Sequence, residues 1–405
     1  MLNDETIKIV QSTAPVLKEH SKQIGITFYR LLFDKAPELY NLFNQTNQKR
    51  GLQQEALGYA VYAAGEHITD LSALNPVIER ICHKHRAIGI MPEQYPIVGE
   101  TLLQAVKVVL GDAATDEILD AWGQAYGYIS EAFISLEKKL YDETEKQHGG
   151  WSGYRDFYID HKVKETDEIT SFYLKPKDGK EIATYKPGQY LTIKAAVPGE
   201  QYTHVRHYSI SDSPNKEYYR ISVKREDRNE DGPAGIVSNF LHENNSKGGT
   251  FAISAPAGDF VLKENDRPIV FISGGIGVTP MMSMLNTLME NKDDRQITFV
   301  HAAANSETHA FKEHVETLTE KNSNLDTVIC YSMPTDQDLS QRNFDKEGFI
   351  NKELISSISY VKDAEIYFCG SIPFMQAINH SLEQLKIPME QINYEVFNPI
   401  AMLDE

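Results

Sequence analysis

Three short constellations in this sequence hold residues whose types and spacing could do chemistry. The first is the stretch 81–95, Ile-Cys-His-Lys-His-Arg-Ala-Ile-Gly-Ile-Met-Pro-Glu-Gln-Tyr. Val77, Ile78, Ile81 and Cys82 recur at helical spacing, and continuing that stripe turns His85 inward while His83 and Lys84 turn to solvent. An imidazole aimed into an apolar interior can be a plain core histidine. Beside an apolar slot it is also the nitrogen donor that haem iron takes. The second is Arg206-His207-Tyr208-Ser209, which alternates along a strand so that Arg206 and Tyr208 face the same way. A cation beside a ring suits a pyrophosphate and a flat heterocycle. The third is Gly274-Gly275-Ile276-Gly277-Val278-Thr279-Pro280, whose glycines let backbone amides approach a pyrophosphate at a helix start.

Each constellation needs elements to position it. Residues 1 to about 145 read as helix after helix, an all-α domain. Asn3 or Asp4 can cap the first helix, and a second over 24–33 ends before Pro37, which opens a short turn leading to Phe43. The polar run 44–50 reads as a loop. From Leu52 a helix follows in which Gln53, Leu57, Ala60, Val61 and Ala64 share a face, so one amide looks into an apolar surface and needs a partner. Gly89 and Pro92 stop the His85 helix, and Tyr95 falls in the first turn of the next. The last helix carries Trp122, Tyr126, Ile129, Phe133 and Leu136, with Glu137 on the edge of that stripe.

The helical pattern dies in the glycine-rich run 144–153, a domain boundary. Short strands then follow at 170–174, 190–193 and 219–223, separated by turns, and suggest a small antiparallel barrel. Pro187-Gly188-Gln189-Tyr190 adds a turn and an aromatic ring, and Gly235-Ile236-Val237-Ser238-Asn239 opens a short helix whose N–H groups and Ser238 hydroxyl could meet phosphate. From Pro268 the texture changes again to buried strands at 268–273, 297–300, 327–330 and 365–369 alternating with helices, a parallel doubly wound sheet. Pro280 replaces the last glycine of the Rossmann fingerprint, so this loop differs from that of most dehydrogenases. Cys369-Gly370 ends one strand, where ligands of such sheets bind, and Tyr394-Glu395-Val396-Phe397-Asn398-Pro399 reads as a final strand.

Composition excludes several classes. The chain has 405 residues, with 40 Lys and Arg against 58 Asp and Glu, a formal charge of -18 and no long basic block, so nucleic acid and anionic membranes are poor partners. No apolar run reaches membrane-spanning length, and the opening Met-Leu-Asn-Asp-Glu-Thr carries acids where a signal peptide carries bases. A cytoplasmic monomer is the expectation. Cys82, Cys330 and Cys369 are odd in number and lack metal-site spacing, which argues against a disulfide framework or structural zinc.

The order Phe28-Tyr29, Phe43, Gln53 to Leu57, His85, Tyr95 and Glu137 resembles the globin of bacterial flavohaemoglobins. Singly, Phe43 is plain core, Tyr29 a core phenol and Glu137 a solvated helix edge; in this order they point to haem. The barrel motifs resemble the FAD domain of ferredoxin-reductase-like proteins, and the two C-terminal motifs resemble the NAD domain of the same family. The similarity thus spans essentially the whole chain. It implies a multidomain protein with an all-α globin domain (1–147), an antiparallel β-barrel FAD-binding domain (148–265) and an α/β doubly wound NAD(P)-binding domain (266–405).

By resemblance His85 ligates iron, Tyr29 and Gln53 sit on the oxygen side, Phe43 packs on the porphyrin beside Leu57, and Tyr95 and Glu137 bond the ligating His. Arg206 holds phosphate, Tyr208 lies against the isoalloxazine and Ser209 approaches its N5, with Tyr190, His207 and Ser238 as further contacts. Nicotinamide dinucleotide falls to Gly274, Gly275, Ile276, Gly277, Val278 and Thr279, to Cys369 and Gly370, and to the segment Glu395, Val396, Phe397, Asn398 and Pro399; Lys84 and Glu395 influence the cofactors. The implied activity converts nitric oxide and O2 to nitrate at a haem b reduced by NADH or NADPH through FAD, a detoxification. The alternatives are a flavin reductase acting on ferric iron, a quinone or a peroxide, and an oxygen-sensing haem protein.

Overall fold

The computed structural model describes residues 2–49, 51–228, 234–243 and 249–397. The chain divides into two compact units, one of Met1–Arg155, Thr192–Arg206 and Ala252–Asp259, the other of Asp156–Leu191, His207–Phe251 and Phe260–Glu405.

The helices of the first unit start and stop where local chemistry directs. Asn3 caps α1 (Asp4–Glu19), its Oδ1 accepting the Thr6 N–H at 2.8 Å. Then come α2 (Ser21–Lys35) and a 3-10 turn over Pro37–Asn41. The run 44–50 is not all loop: Gln45–Lys49 forms α3, because Asn44 Oδ1 accepts the N–H groups of Thr46 and Asn47 and so caps a turn. The chain continues as α4 (Leu52–Glu66), α5 (Asn75–Ile88), α6 (Tyr95–Leu110) and α7 (Asp116–Lys146). Gly89, at φ +86°, ends α5 in a conformation that other residues resist.

Two faces differ from the hydropathy pattern. The buried positions of α4 are Gly58, Ala63 and Gly65; of the expected stripe Leu57 and Val61 are half-buried against the core and Ala60 is exposed. A Cβ at Gly58 would stand 2.5 Å from Ser21 Cβ and one at Gly65 2.6 Å from the Trp122 ring, so these glycines buy close helix approach. On α5, Val77 is 49 % exposed while Arg86 is buried. Arg86 spends its charge on the carbonyls of Ala255 and Pro256, within the same unit.

Strands β1 (Tyr154–Lys164), β2 (Ile169–Pro176), β3 (Tyr190–Ala195), β4 (His204–Ser209), β5 (Tyr219–Lys224) and β6 (Thr250–Ser254) form one antiparallel sheet in the order β4-β3-β6-β1-β2-β5, with α8 (Ile236–Glu243) between β5 and β6. Ile210, just past β4, bridges Ile221 of β5 and turns the sheet toward closure.

The second sheet is parallel, β7 (Ile269–Gly274), β8 (Ile297–Ala303), β9 (Leu325–Tyr331), β10 (Lys346–Glu347), β11 (Glu365–Cys369) and β12 (Ile392–Glu395), in the order β10-β9-β8-β7-β11-β12. Its helices are α9 (Val278–Glu290), α10 (Lys312–Lys321), α11 (Asp336–Gln341), α12 (Lys352–Ser357) and α13 (Ile372–Gln384). Strand order reverses between β7 and β11, which makes the carboxyl ends of those two strands the switch point where such sheets bind ligands. The final strand stops at Glu395, short of the six residues 394–399 read from sequence; Phe397 lies beyond it, and Asn398 and Pro399 lie outside the described residues.

Candidate functional site

In the first unit α5, α6 and α7 bring three predicted residues together. Glu137 Oε1 lies 2.7 Å from His85 Nδ1 and accepts the Tyr95 hydroxyl at 2.7 Å, while Tyr95 Oη is 3.2 Å from the same Nδ1. Sequence put Glu137 at a helix edge; it is 2 % exposed. A buried carboxylate is costly unless donors meet it, and here the imidazole N–H and the phenol do so. Burial, then the hydrogen bond and charge of Glu137, push the Tyr95 phenol far above its usual pKa, so it stays a donor. Tyr126 donates to the Tyr95 carbonyl at 2.7 Å and fixes the start of α6.

The two imidazole nitrogens differ in their surroundings. Nδ1 is engaged, and among the described residues Nε2 makes no hydrogen bond. The side chain keeps 32 % exposure. The second oxygen of Glu137 is buried and has no hydrogen-bond partner among the described residues. That donor set fits a haem: one imidazole held through its Nδ1 by a carboxylate, with its other nitrogen open to a metal. Lys84, next to it, is half-buried and forms no ion pair among the described residues.

Tyr29 of α2 is buried among rings, with the Phe28, Phe33 and Phe43 centroids 4.9, 5.8 and 5.5 Å away. Burial raises its pKa strongly, and a hydrogen bond with Gln48 works the other way. Gln48 also donates to Gln53 Oε1 at 2.5 Å and accepts from Gln54 Nε2 at 2.9 Å. The partner Gln53 needed is therefore Gln48, in the segment read as a featureless loop. Leu57 and Phe43 pack against the core that holds Tyr29.

On β4, Arg206 and Tyr208 are both half-buried and Ser209 is buried. Arg206 donates to the Val205 carbonyl at 2.7 Å and to Thr46 Oγ1 at 3.1 Å, two of the five N–H groups a guanidinium offers an anion. In the second unit the rings of Tyr190 and His207 sit 4.8 Å apart. Guanidinium, phenol and hydroxyl in that order fit a dinucleotide with a flat ring. Ser238 is less free than its position suggested, since its hydroxyl donates to Gly235 O and accepts from Glu226 N, both at 3.3 Å.

The glycine motif and Cys369-Gly370 meet at the switch point. Any Cβ at Gly277 would run into the Cys369 carbonyl, and one at Gly274 would stand 2.9 Å from the ring of Phe374, which also fills the space a side chain at Gly370 would need. Gly275 takes φ +52° and Thr279 Oγ1 donates to Ile276 O at 3.0 Å, closing the turn into α9. The resulting glycine-lined cradle at a helix start fits a pyrophosphate. Cys369 pairs with Glu395 in parallel register, and burial followed by the Glu395 charge holds its thiol protonated. Val396 is buried beside that pair, while Phe397 is 47 % exposed. Gln48, Arg86 and Phe374 escaped the sequence reading, because a polar side chain shows no periodicity and Phe374 was one apolar residue among many.

Family models match three consecutive stretches: Globin over 26–133, Oxidoreductase FAD-binding domain over 156–262 and Oxidoreductase NAD-binding domain over 271–380. A flavohemoprotein of Bacillus thuringiensis subsp. konkukian is 53 % identical over 404 residues, covering 100 % of both chains. The crystal structure of a flavohemoglobin from Malassezia yamatoensis, with bound FAD and heme, superposes with TM-score 0.87 at 25 % identity over 98 % of this chain and 100 % of that one. The flavohem-like FAD/NAD binding domain of a nitric oxide dioxygenase from Vibrio cholerae matches 60 % of this chain and 98 % of its own at 34 % identity, TM-score 0.54. No helix among the described residues is long and apolar enough to cross a membrane. With a globin, an FAD-binding and an NAD-binding domain in one chain and more than half its residues shared with a full-length relative, this protein belongs to the flavohemoprotein family.

Proposed function

We propose that this oxidoreductase is a nitric oxide dioxygenase that converts nitric oxide and O2 to nitrate with electrons from NADH or NADPH. The observation that carries the proposal is the buried Glu137 carboxylate on His85 Nδ1, joined by Tyr95. A ligating imidazole paired with a carboxylate is electron-rich and favours oxygen chemistry over simple reversible binding. The Vibrio cholerae protein that resembles the reductase part bears the dioxygenase name, which supports the same reading.

When bound, the three groups supply the redox chemistry: nicotinamide a two-electron donor, flavin a converter to single-electron steps, and haem iron the centre where the two gases combine. The chain's residues do the rest. His85 would hold the iron through Nε2, its ring fixed by Glu137 and Tyr95 at Nδ1. Tyr29 remains protonated and can donate to the oxygen substrate, with Gln48 and Gln53 beside it. Phe43 and Leu57 keep that side apolar and exclude water. Arg206 with Tyr208, Ser209, Tyr190, His207 and Ser238 binds the flavin dinucleotide, and the 274–279 loop with Cys369, Gly370, Glu395 and Val396 binds the nicotinamide dinucleotide. We assign the haem to 1–147, FAD to 148–265 and the nicotinamide dinucleotide to 266–405.

A nitric oxide electrode tests the proposal. The purified holoprotein should consume nitric oxide in the presence of NADH only while O2 remains. Consumption that continues equally well without O2 would contradict it.

A further inference from the structure

Within the second unit, one buried polar node joins the flavin-side strands to the helix that follows the glycine loop. Beyond Ser209 the chain runs alongside β5, with Ser211 N donating to Arg220 O at 2.8 Å, and reaches Asp212, which is 7 % exposed. The Asp212 carbonyl accepts from Ser283 Oγ at 2.6 Å and from Tyr185 Oη at 2.7 Å. Its Oδ1 accepts from Asn286 Nδ2 at 2.8 Å and from Ser213 N at 2.9 Å, and its Oδ2 from Tyr218 Oη at 2.9 Å. Arg220 Nη2 lies 3.8 Å from Oδ1 and also donates to the Ser211 carbonyl.

Ser283 and Asn286 are three residues apart and so share one face of α9. His314 Nε2, 2.8 Å from Asn286 Oδ1, orients that amide. Burial opposes the charge on Asp212, and Arg220, Asn286, Ser213 and Tyr218 more than offset it, so the carboxyl sits below its ordinary pKa. A second contact sets the same spacing, since a Cβ at Gly188 would stand 2.5 Å from Met284 Cε on α9. An apolar seam would have sufficed to bury these surfaces. A charged, fully hydrogen-bonded tie is stiffer and directional.

We infer that Asp212 is a positioning residue for hydride transfer, tying the strand end that follows Tyr208 and Ser209 to α9, the helix that the 274–277 loop leads into. The inference rests on the reading of those two segments as the flavin and nicotinamide contacts. The step it serves breaks the nicotinamide C4–H bond of NADH and forms an N–H bond at flavin N5, the hydrogen carrying both electrons and leaving NAD+. Such a transfer depends on near-contact geometry, and an error of about 1 Å can cost on the order of a hundredfold.

The test uses the full-length, FAD-loaded protein with NADH and NAD+ as probes. Ser283→Ala and Asn286→Ala each remove one bond from α9; Asp212→Ala removes the carboxylate, and Asp212→Asn keeps an acceptor for Asn286. In anaerobic stopped flow, Asn286→Ala and Asp212→Ala should lower the limiting rate of flavin reduction by roughly ten- to a hundredfold. The NADH dissociation constant and FAD content should stay within about twofold, and the long-wavelength absorbance of NAD+ against reduced flavin should weaken. Asp212→Asn should recover most of the rate. A limiting rate unchanged in Asn286→Ala and Ser283→Ala overturns the inference even if Asp212→Ala fails to fold, and so does a rate that falls only in proportion to lost FAD. Arg206→Ala reports on the underlying reading separately: FAD held as tightly as before would sink the flavin-site assignment, whatever the α9 variants do.

Discussion

Glu137 Oε1 stands 2.7 Å from His85 Nδ1 and accepts its hydrogen bond, although the two residues are 52 positions apart and on different helices. Glu137 is buried, so little solvent lies between its carboxyl group and the ring proposed to face iron. Glu137→Gln keeps the shape and removes the charge. Haem should stay bound while the iron–histidine stretching frequency in resonance Raman falls and nitric oxide turnover drops by about ten- to a hundredfold, the usual cost of a lost outer-shell partner. An unshifted frequency would detach Glu137 from the iron.

Tyr29→Phe removes a buried O–H donor without opening a cavity. A hydrogen bond to a charged acceptor contributes about 1.5–3 kcal/mol, so oxygen release measured by stopped flow should accelerate roughly ten- to a hundredfold. Gln48→Leu, which strips the amide that links Tyr29 and Gln53, should reproduce part of that gain. If Tyr29→Phe leaves release unchanged, the polar contact to oxygen lies elsewhere.

Two buried histidines in the parallel-sheet domain make stability depend on pH. Burial lowers His301 from 6.5 to about 4, and burial with the neighbouring His301 and Lys312 charges lowers His309 well below 6.5. Their rings are 4.6 Å apart. Between about pH 6.5 and 4 the unfolded chain binds protons that the folded chain refuses, so stability is full above that window and declines as pH falls through it. The slope should be about 1.4 kcal/mol per pH unit for each such group. Urea midpoints of the full chain at several pH values should show a shallower decline in His301→Asn, which can still bond Ser273; an identical slope in that variant would assign the effect to other groups.

Gly277→Ala places a methyl group against the Cys369 carbonyl. The loop must shift, so the KM for NADH should rise about tenfold or more while FAD content and the haem spectrum stay normal. A normal KM would remove this loop from the nicotinamide site.

How much of this was written in the sequence depends on the signal each residue leaves. Domain textures, the glycine loop and the His85 helix were legible because hydrophobic period and backbone punctuation are local. The three-residue contact of His85, Tyr95 and Glu137 came from resemblance; hydropathy alone put Glu137 at an edge, since a paired buried carboxylate looks like a solvated one. On α4 the stripe through Leu57 and Val61 was legible and does pack on the core, but the most buried positions, Gly58, Ala63 and Gly65, carry almost no hydropathy. α3 was missed because its cap, Asn44, is as common in loops. Arg86 left no trace, for its partners are backbone carbonyls some 170 residues away, and neither did the contact of Asp212 with Asn286, 74 residues on.

The most direct test of the dioxygenase account is a stoichiometry, nitrate formed against NADH oxidised by the intact holoprotein in aerobic buffer with nitric oxide supplied. A hydride carries two electrons and each nitrate requires one, so the ratio should approach about two nitrates per NADH, with NADH oxidation accelerating when nitric oxide is added. NADH oxidised at the same rate with and without nitric oxide, with no nitrate formed, would contradict the account and leave a flavin reductase in its place.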